Sequence, residues 1–338
     1  MKKILVWDGD ETLWTGTAIE VGVDGVKLPD SQYKLCEELF NRGVVQSIAS
    51  FNRLEDVEAI LHRLGLSNFF LIPQAEFGGR SKADMLTTIK DSLGISKYSD
   101  IVFVDDNQHN LAEVNTLLPE VITALPEDMA FVVNQYFTKD SYTEEDRNRV
   151  RMYRAEVLRK ESGMAFGNDK IAFLHSLRLQ ATLSKPTLEQ MPRVVQLVER
   201  ANKLAAKNQC MWDSGDLSSM LTANIDNLVI LSATDMFGDY GISGVLMHCD
   251  GNIDLLIISC RLQGKGLGSA FIGTIINQYI GKTITARWKE TQYNAGVRSL
   301  YEWYKFTFGE EFGMVKATKS VTESVKLPEW VEVITNGI

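Results

Sequence analysis

The sequence predicts an α/β protein built of two domains in series. Three observations carry that prediction. Residues 1–140 alternate short apolar runs with amphipathic helices, and three of those runs end in a side chain suited to chemistry: Asp8, Ser50 and Asp105. Residues 141–165 are strongly charged and read as a helical linker. Residues 166–338 place a glycine-rich loop between an apolar strand and an apolar helix, after a hairpin signal. Strands alternating with helices imply a doubly wound, mostly parallel sheet, and such sheets bind ligands at the carboxyl ends of their strands.

The first strand is the apolar run ending at Trp7, and it leads into Asp8-Gly9-Asp10-Glu11-Thr12. In an extended segment residues i and i+2 point the same way, so Asp8 and Asp10 converge at its end. Two carboxylates this close repel unless a cation or a shared proton compensates them. A hard divalent ion such as Mg²⁺, bound by oxygen ligands and a substrate phosphate, suits that place. An acidic turn after a strand would show the same two residues, but the downstream pattern repeats the theme.

A helix over Gln32 to Asn41 follows, with Leu35, Leu39 and Phe40 near helical spacing and Gly43 to end it. Val44 to Ser50 is a β-rich run ending in a hydroxyl, with Asn52 beyond it. Leu54 to Leu64 sets Val57, Ile60, Leu61 and Leu64 on one helical face. Ser81 caps a helix carrying Met85, Leu86, Ile89 and Leu93, and two candidate cations, Arg80 and Lys82, flank that cap. Ile101 to Val104 runs into Asp105-Asp106, and a last helix carries Leu111, Val114, Leu117 and Leu118. These elements fill the intervals between Asp8, Ser50 and Asp105, which leaves no room for a large inserted cap; water must be excluded in another way.

The stretch from Lys139 to Glu161 reads as a solvated connecting helix, capped by Ser141 or Thr143, with acids in its first turn and one apolar edge at Met152, Tyr153, Val157 and Leu158. Gly163 and Gly167 mark its end. Beyond it, Ile171 to Leu177 and Met191 to Leu204 look helical, Leu228 to Ser232 reads as a strand, and Asp250-Gly251 signals a hairpin between Ile242–His248 and Ile253–Cys260. The loop Arg261-Leu262-Gln263-Gly264-Lys265-Gly266-Leu267-Gly268 comes next, then an apolar helix to Tyr279. Strand, glycine-rich loop and helix together make a phosphate cradle, because backbone N–H groups and the helix dipole face the anion. Cys260 stands directly before that loop. Beside a helix N-terminus and Arg261 its thiol is expected to be acidified and nucleophilic. His248 is a candidate base for it, although a lone strand histidine is more often structural.

Composition bounds the rest. The chain has 338 residues, 45% hydrophobic and 23% charged, ordinary values for a soluble globular protein. A net charge of −9 argues against nucleic acid or an acidic membrane as partner. No apolar run approaches the ~20 residues needed to span a bilayer. The short apolar run before Asp8 is not a signal peptide. The four cysteines (Cys36, Cys210, Cys249 and Cys260) show no C-x-x-C spacing and read as free thiols of a reducing, cytoplasmic compartment.

The D-x-D-x-T run after an apolar strand resembles the haloacid dehalogenase (HAD) superfamily. That resemblance implies a HAD-like fold without a large cap, Asp8 as the nucleophile that takes a phosphoryl group and Asp10 as general acid/base. Ser50 matches the hydroxyl that donates to a phosphoryl oxygen, and Thr12 and Asn52 are implied to bind phosphate. Asp105 and Asp106 complete an Mg²⁺ site with Asp8 and Asp10. The cation beside the phosphoryl group is Arg80 or Lys82; Arg80 sits where close relatives usually carry Lys. The spacing Gln263-x-x-Gly266-x-Gly268 resembles the pyrophosphate loop of the GNAT N-acetyltransferases, which implies an α+β second domain. There Arg261, Gln263, Gly264, Gly266 and Gly268 would hold coenzyme A or the phosphopantetheine arm of a carrier protein.

Over essentially its whole length the chain resembles the FkbH-like family of HAD–GNAT fusions. The segments that carry this are Val6–Trp14, Ser47–Asn52, Phe103–Asn107, Phe137–Ser141, Phe237–Gly241 and Ser259–Arg261. The resemblance implies a glyceryl transferase/phosphatase of polyketide biosynthesis. It would take 1,3-bisphosphoglycerate, release phosphate and pass a glyceryl thioester, with Cys260 as the acylated thiol, to an acyl carrier protein. The chain departs from the pattern at Ala201-Asn202-Lys203-Leu204-Ala205, where relatives carry Thr-Asn-Gln-x-Asn, and at Phe51 and Arg53, which replace polar and acidic neighbours of Asn52. These departures bear on the acyl group more than on the reaction class. Two other readings compete: a phosphatase fused to an independent acetyl-coenzyme A-dependent N-acetyltransferase, and a phosphatase whose second domain only docks a carrier protein. Cys260→Ser separates the first reading from both.

Overall fold

The computed structural model describes residues 4–139, 142, 144–201, 203–208 and 216–338. Cys210, Asn202 and the candidate caps Ser141 and Thr143 lie outside them. The chain divides into two units, Met1–Glu161 and Ser162–Ile338.

The first unit runs β1 (Ile4–Trp7), α1 (Ala18–Gly25), α2 (Asp30–Asn41), β2 (Val45–Ser50), α3 (Leu54–Arg63), β3 (Gln74–Ala75), α4 (Lys82–Ser92), β4 (Ile101–Val104), α5 (Gln108–Leu117), β5 (Ile122–Ala124), α6 (Met129–Tyr136) and α7 (Glu144–Ala165). Among the described residues its strands form one sheet in the order β3-β2-β1-β4-β5, every pairing parallel. This is the doubly wound α/β fold the sequence predicts. β1 lies at the centre. Its Leu5 and Trp7 join a core with Cys36, Leu39, Val57, Ile60 and Val132, while Ile4 and Val6 face Met85, Ile89, Val114 and Val150. Helices therefore cover both faces, which is why the strand reads as an unbroken apolar run and not as an alternating one. Each such buried side chain stabilises the fold by about 1.5–3 kcal/mol.

α7 differs from the solvated linker expected of it. Its Val150 and Ala155 are buried. Arg154 donates to the carbonyls of Ser67 (2.8 Å) and Phe70 (3.3 Å), and Lys160 to that of Ser92 (2.7 Å). Asp146 is buried and paired with Lys139 and Arg149. Gly43, at φ +75°, lies so close that a Cβ there would overlap the Asp146 carbonyl. Beside an apolar edge of Val150, Tyr153 and Val157, the helix is held by charged side chains reaching backbone carbonyls, a mode that apolar periodicity does not register.

The second unit continues with α8 (Lys170–Ser176), β6 (Leu179–Ser184), α9 (Met191–Arg200), β7 (Ala205–Lys207), α10 (Leu217–Ala223), β8 (Leu228–Asp235), β9 (Gly238–Cys249), β10 (Asn252–Ile258), α11 (Leu267–Asn277), β11 (Thr283–Trp288), α12 (Gly296–Trp303), β12 (Thr307–Glu311), β13 (Met314–Ser320) and β14 (Val331–Asn336). Among the described residues these strands make one mixed sheet, β12-β13-β11-β10-β9-β8-β6-β14, with β7 also paired to β10. Asp250 (φ 47°) and Gly251 (φ 80°) form the two-residue turn of the β9–β10 hairpin, with Cys249 opposite Asn252. Positive φ at both turn positions matches strand twist and suits Asp-Gly. The apolar face of α11 packs on one side of the sheet and that of α9 on the other. This is the mixed α+β architecture expected of the second domain.

In this unit one element departs from expectation. The helix expected over Met191–Leu204 stops at Arg200, and Ala205–Lys207 form a strand. β10 and β11 pair only at Asn252–Thr285 and Ile253–Ala286, and beyond that point β7 takes the open edge of β10. The two alanines there are buried.

Candidate active site

Every candidate of the first unit except Arg80 and Lys82 lies at the carboxyl end of β1, β2 or β4, or on the loops that follow them; those two lie at the start of α4. The chain leaves β1 through a tight turn in which Leu13 N–H (2.9 Å) and Trp14 N–H (3.2 Å) both donate to the Gly9 carbonyl. Gly9 carries no Cβ because one would sit 2.7 Å from the Trp14 ring and 3.1 Å from Ser50 Oγ. The glycine between the two aspartates thus lets the indole and the hydroxyl close onto the turn.

Of the two candidate cations, Lys82 is the one beside the carboxylates. Its ammonium is fully buried, 2.5 Å from Asp8 Oδ1 and 3.2 Å from Asp105 Oδ2, and it donates to the Ala49 carbonyl at 2.7 Å. Ser81 and Asp84 form a reciprocal cap that fixes Lys82 as the first residue of α4. Arg80 points elsewhere: its guanidinium bonds Gln74 Oε1 (3.1 Å), Thr88 Oγ1 (2.5 Å) and the Asp84 carbonyl (3.2 Å). It braces the loop before α4.

Asp8, Asp105 and Asp106 present carboxylate oxygens within 4.8 Å of one another. Three oxygen donors beside one ammonium fit a hard divalent cation. Asp105 is positioned by the Asn107 N–H (2.8 Å) and by Asn110 Nδ2, 3.1 Å from each carboxylate oxygen. Asp106 is positioned by Thr12, whose Oγ1 both donates to its carboxylate (3.2 Å) and accepts from its N–H (3.0 Å). Thr12, expected at phosphate, is thus engaged with a metal-site residue. Burial raises the Asp8 pKa most strongly; Lys82 opposes that and Asp105 adds to it, leaving it at about 6.

Asp10, expected to join the metal ligands, is outside that cluster. Trp14 Nε1 (2.8 Å) and the Ala18 N–H (3.2 Å) donate to its Oδ1, and Asn52 Nδ2 (3.0 Å) to its Oδ2. Three donors turn the side chain away from Asp105 and Asp106. Asn52 also donates to Ser50 Oγ (3.1 Å), which leaves the buried Ser50 hydroxyl hydrogen for another acceptor. A cleft of about 320 Å³ opens onto Asp8, Asp10, Ser50, Asn52 and Asp106. Trp14 and Asn110 are the site residues that sequence reasoning missed. Their signals were an aromatic N–H four residues after Asp10 and an amide one helical turn beyond Asp105–Asp106.

The second-unit candidates are less tightly organised. α11 starts after Gly266 (φ +82°) without a side-chain cap, so first-turn N–H groups face outward. Two glycines of the loop also have reasons within the chain. A Cβ at Gly266 would meet Trp330 Nε1 at 2.7 Å, and one at Gly268 would meet Ile258 at 2.9 Å. Trp330 Nε1 donates to the Lys265 carbonyl, tying the loop to the C-terminal segment. Gln263 and Gly264 lie on the same loop, and Arg261 packs back on Ser259 (Nε to Oγ, 3.5 Å).

Cys260 is exposed, in a short turn after β10, and residues 261–266 separate it from the first residue of α11. It does not cap the helix terminus. His248 does not serve it as a base. Its Nδ1 is 2.7 Å from the Tyr279 hydroxyl, burial lowers its pKa, and it pairs with Ile253 at the hairpin end of β10. Cys260 follows the opposite end, roughly 15 Å away at ~3.3 Å per residue.

No protein-family model and no curated protein matches the chain. Among solved structures, 42% of the chain is similar to the N-terminal part of a Bacteroides fragilis protein that contains a phosphatase domain and is complexed with Mg, at 23% identity and a TM-score of 0.37. The match covers 42% of that chain, so the similarity spans less than half of it. A further 43% match is to the ribosomal-protein-S18-alanine N-acetyltransferase of Escherichia coli (12% identity, 97% of that chain, TM-score 0.31). An acetyltransferase of Thermus thermophilus matches 42% of the chain (12% identity, 98% of that chain, TM-score 0.32).

Proposed function

We propose that the protein is a two-site enzyme, with Mg²⁺-dependent phosphoryl chemistry at Asp8 and acyl transfer in the second unit. The observation that carries this reading is the buried Lys82 ammonium held between Asp8 and Asp105, with Asp106 completing the acidic cluster. An Asp8 oxygen attacks phosphorus, the bond from phosphorus to the leaving oxygen breaks, and the electron pair leaves with that oxygen. Asp10 supplies the proton to an alkoxide leaving group and then takes one from the water that releases inorganic phosphate. Ser50 donates to a phosphoryl oxygen, and Lys82 offsets its charge. Bound at Asp8, Asp105 and Asp106, Mg²⁺ supplies further charge neutralisation on the phosphoryl group.

The finer reading rests on the FkbH-like resemblance. The Cys260 thiolate attacks the carbonyl carbon of 1,3-bisphosphoglycerate, and the acyl phosphate leaves as inorganic phosphate. Asp8 removes the remaining phosphate ester. The thiol of a carrier protein's phosphopantetheine arm then takes the glyceryl group and returns the proton to Cys260. The exposure of Cys260, clear of the α11 terminus, favours one alternative: acetyl-coenzyme A-dependent transfer with no acyl–enzyme.

Intact-protein mass spectrometry tests the assignment, using Mg²⁺ and 1,3-bisphosphoglycerate made in situ. Wild type is expected to gain a hydroxylamine-labile glyceryl adduct that Cys260→Ser lacks. Asp8→Asn is expected to keep the second phosphate on the adduct. Asp8-dependent phosphate release with no adduct on any form would remove Cys260 from the mechanism.

A further inference from the structure

We propose that the Asp8 cleft takes a phosphorylated substrate whose carbon portion is apolar. The inference rests on reading Asp8 as the phosphoryl acceptor, and it replaces the glyceryl portion with an alkyl or aryl one. Ile19 (68% exposed), Phe51 (40%) and Phe77 (67%) line the same cleft as Asp8 and Ser50. They arrive from three separate segments: α1, the turn after β2, and the loop before α4. An apolar side chain left in water forgoes the free energy of burial, and a ligand covering all three recovers part of it.

The apolar wall is continuous with the polar floor. Phe51 directly follows Ser50, and its ring centre is 4.7 Å from the Lys82 ammonium that pairs with Asp8. A group attached to a phosphoryl unit at Asp8 therefore meets Phe51 next. The loop carrying Phe77 is tied to the same strand end, because the Glu76 N–H donates to the Ser50 carbonyl (3.1 Å) and Arg80 braces the loop from below. A hydroxylated carbon chain would press polar groups against these walls and lose their hydration. The cleft volume of about 320 Å³ admits a small molecule.

The test compares n-hexyl phosphate with glycerol 3-phosphate, both primary alkyl esters, in Mg²⁺ with full-length wild type, Ile19→Ser, Phe77→Ser and Asp8→Asn. The exposed rim positions keep the core intact on substitution. Wild type is expected to prefer hexyl phosphate in kcat/KM, through KM. Phe77→Ser is expected to lower that preference about tenfold. Calorimetric binding of hexylphosphonate against methylphosphonate gives a readout without turnover. Equal preference in wild type, or a preference unmoved in both rim variants, overturns the inference while Asp8-dependent turnover leaves the phosphoryl reading standing. No Asp8-dependent turnover of any ester overturns that reading instead. The inference then stands only if hexylphosphonate binds tighter than methylphosphonate and Phe77→Ser removes the difference.

Discussion

At Asp8, charge is held largely out of water, with the side chain 12% exposed at the cleft. The raised pKa of about 6, against an ordinary 3.8, has a direct linkage consequence. A group that binds its proton more tightly when folded stabilises the fold fully below its unfolded value and loses that contribution as pH rises through the folded one. At neutral pH, without Mg²⁺, the ionised carboxylate therefore costs the fold on the order of 3 kcal/mol. Asp8→Asn, measured in EDTA, is expected to raise the melting temperature at pH 7.5, and the gain should vanish below about pH 4, near the unfolded carboxylate value. Equal melting temperatures at pH 7.5 would sink this account. Much of this site was legible in residue types: Asp8, Asp105 and Asp106 converge, and Lys82 was one of two candidate cations. The choice between Lys82 and Arg80 was not legible, because it depends on which side chain the α4 cap turns inward. The orientation of Asp10 was not either, since its donors, the Trp14 indole and the Ala18 N–H, are set by the turn after β1.

Among elements, the strands at the centre of the first sheet were readable because both their faces are covered, so β1 and β4 are apolar throughout and β2 is buried at every residue although it carries Gln46, Ser47 and Ser50. β7 was not. Ala205-Ala206-Lys207 has no strand propensity of its own, and its state follows from the edge that β10 presents once β11 has diverged. α7 was read as a helix, and what escaped was its packing, because it is anchored by Asp146, Arg154 and Lys160 as much as by an apolar stripe. That anchoring can be tested at Gly43. Gly43→Ala puts a Cβ into the Asp146 carbonyl at a positive φ, and should cost about 2 kcal/mol or more in urea unfolding. A loss under about 0.5 kcal/mol, the range of ordinary surface changes, would show that α7 is not held there.

For the whole chain, two separately cored units lead to a prediction about metal. A ligand that binds only the folded state stabilises it by RT ln(1 + [L]/Kd), about 2.7 kcal/mol at 100-fold excess over Kd. Mg²⁺ is expected to raise the unfolding transition of the first unit and leave that of the second where it was. Asp105→Asn should abolish the shift. A shift of both transitions, or of neither, would contradict the assignment of the acidic cluster. The two-domain division follows from motif order. The exact point at which the first unit ends does not, because the charged residues that read as linker belong in large part to its last helix.

The buried trio of Asp8, Lys82 and Asp105 also shapes how such a sequence can drift. Loss of either aspartate leaves the ammonium one carboxylate, and the remaining pair is still neutral. Loss of Lys82 leaves two facing anions with nothing between them, and breaking a buried pair in that way costs about 3–5 kcal/mol. A chain that loses Asp8 or Asp105 can thus keep its fold. A lineage that lost Lys82 first would have to replace an aspartate in the same step.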